Sequence, residues 1–557
     1  MRKVFGLFME WAVIRAGILY FIITNMRSPA FFVAFCSLLA GADLVKEGNQ
    51  WWSRVQVIAD DKMEGRNTGS EGYMRAARYV ASEMERAGLK PAGTNGYFQP
   101  IRFTVSQIDE ANSSLAVVNG NVTGNQVTPI ELGPDAALSV RRGLAPKFEG
   151  DAVFCGYCLV IPEYNIDDLA GLDVKGKVIV YIGGGPSGVP TELRAHYSSG
   201  NERNKAFVKA GVVGAVTIAN PKSMDIPWER STLSRLNATM TVADPSGETQ
   251  SKIVFGARIN PAKADKIFAA SGHTFAEILA LADSGKDLPH FPLNIKFRAT
   301  ETLKQSEVES PNVIGMLPGT DPKLKDEYVV FSAHLDHLGI GGAVNGDSIY
   351  NGAMDDGSGI ASILQIAQMI KDQKIKLKRS LLFVAVCGEE KGELGSKFYA
   401  VNPTVPASNI VADLNLDMYL PLFPLKVLEV QGVNESTLGE DIRAAAKKLG
   451  VGVQSDKEPD RNLFIRSDQY SFVQEGVPAL AFKFGYDFGT PEEKISKDWL
   501  RDRYHAPSDD LNQPVDKEGA ALFNRILLDT GVRVANAPEH PRWLPSSFFK
   551  RFEKNGS

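Results

Sequence analysis

Short, nearly continuous apolar runs recur through the chain, and most of them are followed by a polar loop. Runs of this kind are typical of strands that are buried on both faces of a sheet. The clearest examples are residues 328–333, 381–387, 410–416 and 479–483. Because helical patterns lie between them, these runs predict an α/β domain whose functional residues lie where the strands end.

Two segments have the apolar spacing of helices. Apolar residues between Ile360 and Ile370 recur at helical intervals, directly after the turn Gly357-Ser358-Gly359. The pair Asp355-Asp356 therefore lies just before a helix begins. A second amphipathic helix is predicted over Glu71–Gly88, after a polar loop.

The pattern changes between residues 121 and 297. Short β-rich runs alternate there with Gly, Pro and Asp turns, and one helix is predicted over residues 201–210. This pattern predicts a separate small domain inserted into the larger one. The predicted division is 1–43 for a signal peptide or anchor, 44–120 and 298–538 for the main domain, 121–297 for the insertion and 539–557 for a tail.

The insertion contains two cysteines at a spacing that fits a redox pair, Cys155 and Cys158. A thioredoxin-type pair opens a helix, whose dipole lowers the pKa of the thiolate, whereas this pair follows a strand-like segment. A structural role, including a local disulfide, is therefore favoured over a redox role. Cys387 would remain as a free thiol in an apolar strand.

The N-terminus has the features of an export signal. Arg27 precedes a mostly apolar run over residues 29–40, and the small residues Ala40 and Ala42 follow it. We expect export to the periplasm or the extracellular space, with translation from Met1 or Met26, and a retained membrane anchor as the alternative. Phe35 makes Cys36 a poor lipid-attachment site.

Composition excludes some partners. The 557 residues carry 61 Lys and Arg against 66 Asp and Glu, a net charge of -5 without long charged runs. Nucleic acid and an anionic membrane surface are therefore not expected as main partners. The 44% hydrophobic content and the length are typical of a globular chain of two or three domains.

Polar residues at successive strand ends indicate a metal site. Three carboxylates at one sheet edge would repel one another, but two divalent cations and a bridging hydroxide would balance their charge. Two histidines would complete a set of nitrogen and oxygen ligands that suits zinc. The five candidates are His334, Asp355, Glu390, Asp417 and His505.

Five ordered motifs resemble those of the dizinc exopeptidases, the family of secreted bacterial aminopeptidases, glutamate carboxypeptidase and the transferrin receptor. The motifs are AHLDHLG at 333–339, NGAMDDGSG at 351–359, GEE at 388–390 with Gly395-Ser396, NLDM at 415–418 and YHAP at 504–507. The resemblance covers about 44–534 and implies a mixed, mostly parallel central sheet flanked by helices. Within the insertion, Gly156-Tyr157 and DVKGKV at 173–178 resemble the protease-associated domain of that family.

The resemblance assigns a role to each motif residue. The five candidates above match the ligands of two zinc ions, with Asp355 bridging them, and Glu389 matches the general base. Asp336 matches the carboxylate that orients His334, whereas His337 is expected to point away from the ions. The implied reaction is peptide hydrolysis by a hydroxide that bridges two zinc ions, with Glu389 moving the proton and Tyr504 as a candidate donor to the oxyanion.

Alternatives remain open at this point. The leading hypothesis is a zinc aminopeptidase that acts on peptide N-termini. A carboxypeptidase, a glutaminyl-cyclase-like enzyme with one zinc and a non-catalytic binding protein on the same scaffold are the others. Arg466 is a candidate for charge recognition, and Gln469 stands where many relatives have histidine, which predicts an altered pocket.

Overall fold

A computed structural model gives the fold of the chain. It describes residues 29–119, 126–140, 145–224, 226–243, 253–458, 461 and 463–554, with the side chains of 29–42 and 223 left out. The prediction of a start at Met26 and the predicted signal segment before residue 29 lie outside the described residues. The Cys36 side chain lies outside them as well.

The first sheet has ten strands among the described residues and is mixed. Its four neighbouring strands β18, β15, β19 and β22 run parallel, and antiparallel pairs flank them. The order is β11-β2-β14-β18-β15-β19-β22-β20-β21, with β1 paired to β14. The strands are β1 (Lys90–Pro91), β2 (Phe98–Ile108), β11 (Thr239–Val242), β14 (Leu303–Leu317), β15 (Tyr328–His334), β18 (Ser380–Val386), β19 (Ile410–Asn415), β20 (Val427–Gln431), β21 (Gly452–Gln454) and β22 (Ala479–Phe484).

The second sheet has eight strands in the described part of the chain, in the order β4-β3-β13-β6-β9-β10-β12-β5. It is formed from residues 114–300, while β11 leaves this region to pair with β2 of the first sheet. Its strands are β3 (Ser114–Asn119), β4 (Gln126–Ile130), β5 (Ala136–Leu138), β6 (Lys147–Cys155), β9 (Val178–Ile182), β10 (Gly214–Ile218), β12 (Phe255–Ile259) and β13 (His290–Thr300). Two hairpins stand apart, β7 (Val160–Ile161) with β8 (Ile166–Asp167) and β16 (Gly339–Val344) with β17 (Asp347–Tyr350).

Helices cover the first sheet and fill the connections of the second. In chain order they are α1 (Pro29–Ile58), α2 (Glu71–Arg86), α3 (Thr191–Ser198), α4 (Gly200–Ala210), α5 (Trp228–Ser231), α6 (Asp265–Phe268), α7 (Phe275–Asp283), α8 (Ser358–Asp372), α9 (Leu394–Val401), α10 (Leu438–Lys448), α11 (Gln469–Gln474), α12 (Pro491–Asp502) and α13 (Lys517–Asn536). No helix in the described ranges is both long and apolar enough to cross a membrane.

The central strands are buried on both faces, as their continuous apolar runs predict. Every residue of β15, β18 and β19 is buried. Phe331 of β15 stacks on Phe383 of β18, with ring centroids 5.4 Å apart, and α8 and α13 pack against β15. The predicted mixed α/β fold with a mostly parallel centre is therefore confirmed.

The arrangement of the cysteines agrees with a structural role. Cys155 and Cys158 form a disulfide at the end of β6, where a turn rather than a helix follows. Cys387 is a buried free thiol directly after β18. The favoured structural role of the Cys155–Cys158 pair agrees with this geometry.

Candidate metal centre

Three parallel strands of the first sheet bring the predicted ligands to one edge. His334 ends β15, Glu390 lies four residues beyond β18, and Asp417 lies two residues beyond β19. In the ladder, His334 is aligned with Val386 of β18 and Ser332 with Asn415 of β19. Because the carboxyl ends of parallel strands meet at the same edge, the register itself places these side chains together.

The first group of donors is formed by His334, Asp355 and Asp417. Nε2 of His334 lies 3.1 Å from Oδ1 of Asp355 and 3.4 Å from Oδ1 of Asp417. The three side chains are 1%, 3% and 15% exposed. Each offers one donor atom within 4.8 Å of the others, which is a spacing that one ion can fill.

The second group shares Asp355 and adds Glu390. Nε2 of His505 lies 3.2 Å from Oε2 of Glu390 and 3.3 Å from Oδ2 of Asp355. All five predicted ligands therefore come together, with Asp355 between the two groups. This arrangement is the one that a bridging carboxylate requires.

His337 also belongs to the second group, so the prediction that its side chain points away is wrong. Its Nδ1 lies 2.7 Å from Oε1 of Glu390 and 3.8 Å from Oδ2 of Asp355. The side chain is fully buried. The cause is the loop after β15, which turns back so that the backbone N–H of His337 donates to the carbonyl of Arg66.

The donor atoms fit a cation because two of the carboxylate oxygens lack another partner. Oδ2 of Asp355 and Oδ1 of Asp417 are buried and have no hydrogen-bond partner. A buried polar atom without a partner costs about 1–3 kcal/mol. Metal coordination would satisfy these atoms, and the nitrogen and carboxylate donors suit zinc.

The pKa values show how the cluster compensates its charge through protons. Burial lowers the pKa of His505, but the carboxylates of Glu390 and Asp355 act against it and raise the pKa to about 10. Burial likewise lowers the pKa of His334, but the nearby carboxylates of Asp355 and Asp417 raise it well above its usual range. Ligand histidines must be neutral, so metal binding at this cluster would release protons.

The segment that carries Asp355 is held by backbone hydrogen bonds to Asp509. The Asp509 carboxylate accepts the N–H groups of Asp355 at 3.0 Å and of Met354 at 3.0 Å and 3.2 Å. Gly352 precedes this segment with a φ of 60°. A Cβ at Gly352 would lie 2.6 Å from the ring of His337 and 2.2 Å from the Asp355 carbonyl, so only glycine fits there.

Asp356 connects the end of β15, the start of α8 and the loop that carries Asp417. Its Oδ2 accepts the backbone N–H of His334 at 3.2 Å, and its Oδ1 accepts those of Gly359 at 3.0 Å and Met418 at 3.3 Å. Burial raises the pKa of Asp356, while the hydrogen bond from Met418 acts in the opposite direction. This carboxylate positions β15, α8 and the Asp417 loop relative to one another.

Asp336 does not orient His334 through its carboxylate, contrary to the expectation. Nδ1 of His334 lies 3.0 Å from the backbone oxygen of Asp336, so Nδ1 carries the proton and Nε2 faces the carboxylates. The carboxylate instead accepts the backbone N–H of Glu389 at 3.1 Å and the hydroxyl of Thr68 at 2.9 Å. The Thr68 hydroxyl oxygen in turn accepts the N–H of Gly388 at 3.1 Å.

Glu389 lies beside the cluster, in surroundings that favour its protonated form. Burial raises the pKa of its carboxyl well above the usual range, and Asp417, Asp468 and Glu390 add to the rise, whereas His334 opposes it. A carboxyl with a raised pKa can hold a proton and release it again, as a general acid and base must.

An open cavity adjoins the cluster on the side of Asp417. Its lining includes Asp417, Met418, Arg466, Gln469, Lys483 and Tyr504. The Tyr504 ring lies 4.0 Å from that of His505, which places this residue between the ligands and the cavity. Gln469 reaches the cavity and accepts from Asn415 at 2.6 Å.

Sequence reasoning missed Asp356, Asp509 and Arg66 as supports of the site. Arg66 is fully buried and donates to the carbonyls of Leu335 and Gly352, both at distances near 2.9 Å. Arg66 lies within the polar loop that precedes the predicted helix Glu71–Gly88, and nothing in the sequence of that loop distinguishes its charge from the charges around it. The sequence shows that Asp356 is next to Asp355, but it does not indicate which backbone N–H groups the Asp356 carboxylate binds.

Comparison with known proteins agrees with this geometry. Residues 312–531 match the model of peptidase family M28. Aminopeptidase Y of Saccharomyces cerevisiae is 26% identical over 249 residues, which are 43% of this chain and 42% of that protein. Carboxypeptidase Q of Bos taurus is 31% identical over 178 residues, 31% of this chain and 33% of that protein. The chain thus spans less than half the length of either relative.

A solved structure shows the same fold. The aminopeptidase from Aneurinibacillus sp. strain AM-1 superposes with a TM-score of 0.52 at 19% identity, over 88% of this chain and 95% of that one. The matched segment 312–531 contains every ligand candidate, from His334 to His505. The segment that carries the candidate metal centre is therefore similar to peptidase family M28, in agreement with the resemblance of its motifs to the dizinc exopeptidases.

Proposed function

We propose that this protein is a zinc-dependent exopeptidase, and specifically an aminopeptidase that removes N-terminal residues from peptides. The observation that carries the proposal is the pair of donor groups that share Asp355, with buried donor atoms that lack other partners. The match of residues 312–531 to the model of peptidase family M28 supports the peptidase class.

Two zinc ions per chain would occupy the two groups. His334 and Asp417 would hold one ion, Glu390 and His505 the other, and Asp355 would bridge them. Zinc, when bound, acidifies a water molecule and polarises the carbonyl under attack. His337 is proposed to support Glu390 rather than to replace His505, because its Nδ1 is nearer to Glu390 than to Asp355.

Glu389 is proposed as the general base. It would accept a proton from the attacking water and return it to the leaving amine nitrogen. The Asp336 carboxylate would position Glu389 through its backbone N–H. Tyr504 would donate a hydrogen bond to the developing oxyanion from the rim of the cavity.

Other features of the proposal follow from the sequence motifs. The insertion at 121–297 is proposed to be a protease-associated domain, and the N-terminal 43 residues are proposed to direct export to the periplasm or the extracellular space. Peptides are the proposed substrates. A carboxypeptidase is the second candidate, because the cavity beside Asp417 carries cationic residues that fit a carboxylate.

Metal analysis and a peptide panel test the proposal together. Purified protein should contain close to two zinc equivalents, and a chelator should abolish hydrolysis until zinc or cobalt is returned. One peptide would be assayed free, with an acetylated N-terminus and with an amidated C-terminus. An aminopeptidase fails only on the acetylated peptide, a carboxypeptidase fails only on the amidated one, and full activity in metal-free protein would disprove the mechanism.

A further inference from the structure

The cavity beside the metal centre has a positively charged wall. Lys483 at the end of β22 lines it together with Arg461 and Arg466, and Asp417 is the acidic residue on this wall. Asp417 is also a proposed zinc ligand, so a bound cation would compensate its charge. The wall that remains for a substrate is then cationic.

Lys483 lies close to the loop that carries Asp417. Its Nζ lies 3.4 Å from the backbone oxygen of Met418, the residue that follows the ligand Asp417. This contact places the ammonium group on the side of the metal centre. Among the described residues, Lys483 has no ion pair with a carboxylate, whereas Arg461 pairs with Glu458 at 3.2 Å.

Acidic residues lie on the other side of Lys483. A second cavity is also lined by Lys483 and contains Glu429, Asp456 and Glu458. Glu429 is engaged by Gln454, whose amide donates to its carboxylate at 3.2 Å. The ammonium therefore lies at the boundary between an acidic region and the metal centre, and within the described part of the chain its hydrogen-bond partner is the Met418 carbonyl.

Gln469 lines the cavity but carries no charge that could pair with the ammonium of Lys483. Its side-chain amide already forms hydrogen bonds with Asn415 at 2.6 Å and with the carbonyl of Phe464 at 2.8 Å. A partly buried ammonium without a carboxylate partner is unfavourable, and an anionic ligand group would compensate its charge.

We propose that Lys483 determines substrate specificity by binding a carboxylate of the peptide in the cavity beside Asp417. This inference rests on the proposed exopeptidase function. The carboxylate has two sources, the side chain of an N-terminal Glu or Asp and the C-terminal carboxylate of a short peptide. Both present the same group to the ammonium, and the assay below separates them.

The assay uses peptides that differ only in the first residue, Glu, Gln or Lys, each with a free and with an amidated C-terminus. The wild type should favour Glu over Gln by about 10- to 100-fold in kcat/KM, the size expected when a charge-assisted hydrogen bond is lost. If the C-terminal carboxylate is the bound group, the same factor should instead separate free from amidated peptides.

Substitutions of Lys483 test whether this residue binds the carboxylate. Lys483→Met keeps the side-chain length, so it should lose the preference while retaining hydrolysis of the neutral peptide, and Lys483→Arg should keep the preference. Lys483→Glu should shift the preference toward the peptide with N-terminal Lys. Lys494→Met, at an exposed lysine of α12, is the matched control.

A binding measurement keeps the test independent of turnover. L-Glutamate, but not L-glutamine, should raise the melting temperature of wild-type protein loaded with zinc, and Lys483→Met should remove this difference. Equal hydrolysis of Glu, Gln and Lys peptides in both C-terminal forms, together with equal shifts by the two amino acids, would overturn the inference and leave the peptidase proposal standing. Failure to hydrolyse any peptide would instead overturn the proposed function.

Discussion

The carboxylate of Asp336 accepts the backbone N–H of Glu389 at 3.1 Å, although 53 residues separate them in the chain. The ring of His334, by contrast, donates to the backbone carbonyl of Asp336. Asp336 therefore supports two sides of the centre through different atoms. Its carboxylate positions the proposed base, and its main chain fixes the tautomer of a ligand.

This division predicts the effect of Asp336→Asn. The asparagine keeps the backbone carbonyl that His334 uses, so zinc content should stay close to that of the wild type. It loses one of the two acceptor oxygens that hold Thr68 and the Glu389 N–H, and such supporting contacts typically change activity by about 10- to 100-fold. Turnover and zinc content of the purified variant are the measurements.

Thr68→Val is the matched comparison for that variant. It removes the hydroxyl that links Asp336 to the N–H of Gly388 but leaves the Asp336 carboxylate in place. A smaller loss of turnover is expected, again with zinc retained. Loss of one zinc equivalent in Asp336→Asn would show that the carboxylate acts on the ligand side instead.

The strands and their ends were predictable from sequence, because a continuous apolar run followed by a polar loop indicates where a buried strand ends. The runs beginning at Tyr328 and Ile410 became β15 and β19 with nearly the same bounds. The ligand candidates followed from the same logic, since parallel strands bring their carboxyl ends to one edge. The register of the sheet, which aligns His334 with Val386, brings the ends of β15 and β18 to the same edge.

The direction of a loop side chain was not predictable in the same way. His337 follows His334 by three residues, and nothing in the spacing shows that the loop turns back toward Arg66. The supporting role of Asp509 was equally hidden, because its partners are backbone N–H groups about 155 residues away. Every residue carries such a group, so sequence cannot indicate which one a carboxylate will bind.

The two histidines next to Glu390 should differ in their effect on metal binding. His505→Ala should lose about one zinc equivalent, because its Nε2 lies between Asp355 and Glu390. His337→Ala should retain both ions with weaker affinity, about 10- to 100-fold, as expected for a supporting contact. Zinc titration of both variants, with His334→Ala for comparison, makes the measurement; a larger loss in His337→Ala would exchange the two roles.

The adjacent carboxylates Glu389 and Glu390 should separate turnover from metal binding. Glu389→Gln should keep two zinc equivalents and lose at least the factor of about 10² to 10⁴ that proton transfer supplies. Glu390→Gln should bind less zinc, since its two oxygens face His337 and His505. Metal analysis and single-turnover rates distinguish the variants, and the opposite pattern would reverse the assignment.

Asp509 offers a test of how the bridging ligand is held. Both carboxylate oxygens of Asp509 accept hydrogen bonds, one from the N–H groups of Met354 and Asp355 and the other from the amide of Gln513 at 2.6 Å. In Asp509→Asn, the new amide nitrogen replaces one of these acceptors, so one donor faces another donor. Rotation of Gln513 would not resolve the conflict, because its Oε1 accepts from Trp499 at 2.7 Å.

A buried donor left without an acceptor costs about 1–3 kcal/mol, so Asp509→Asn should lower the free energy of unfolding of the metal-free protein by that amount. It should also weaken zinc binding, because both groups share Asp355. The neighbouring Asp510→Asn is the control, since the carboxylate of Asp510 accepts from Asn512 within its own loop and lies outside the network around Asp355. Chemical denaturation in the presence of a chelator, followed by zinc titration, measures both effects. Equal stability and equal zinc affinity in the two variants would show that Asp355 is held by the backbone of its own segment and not by Asp509.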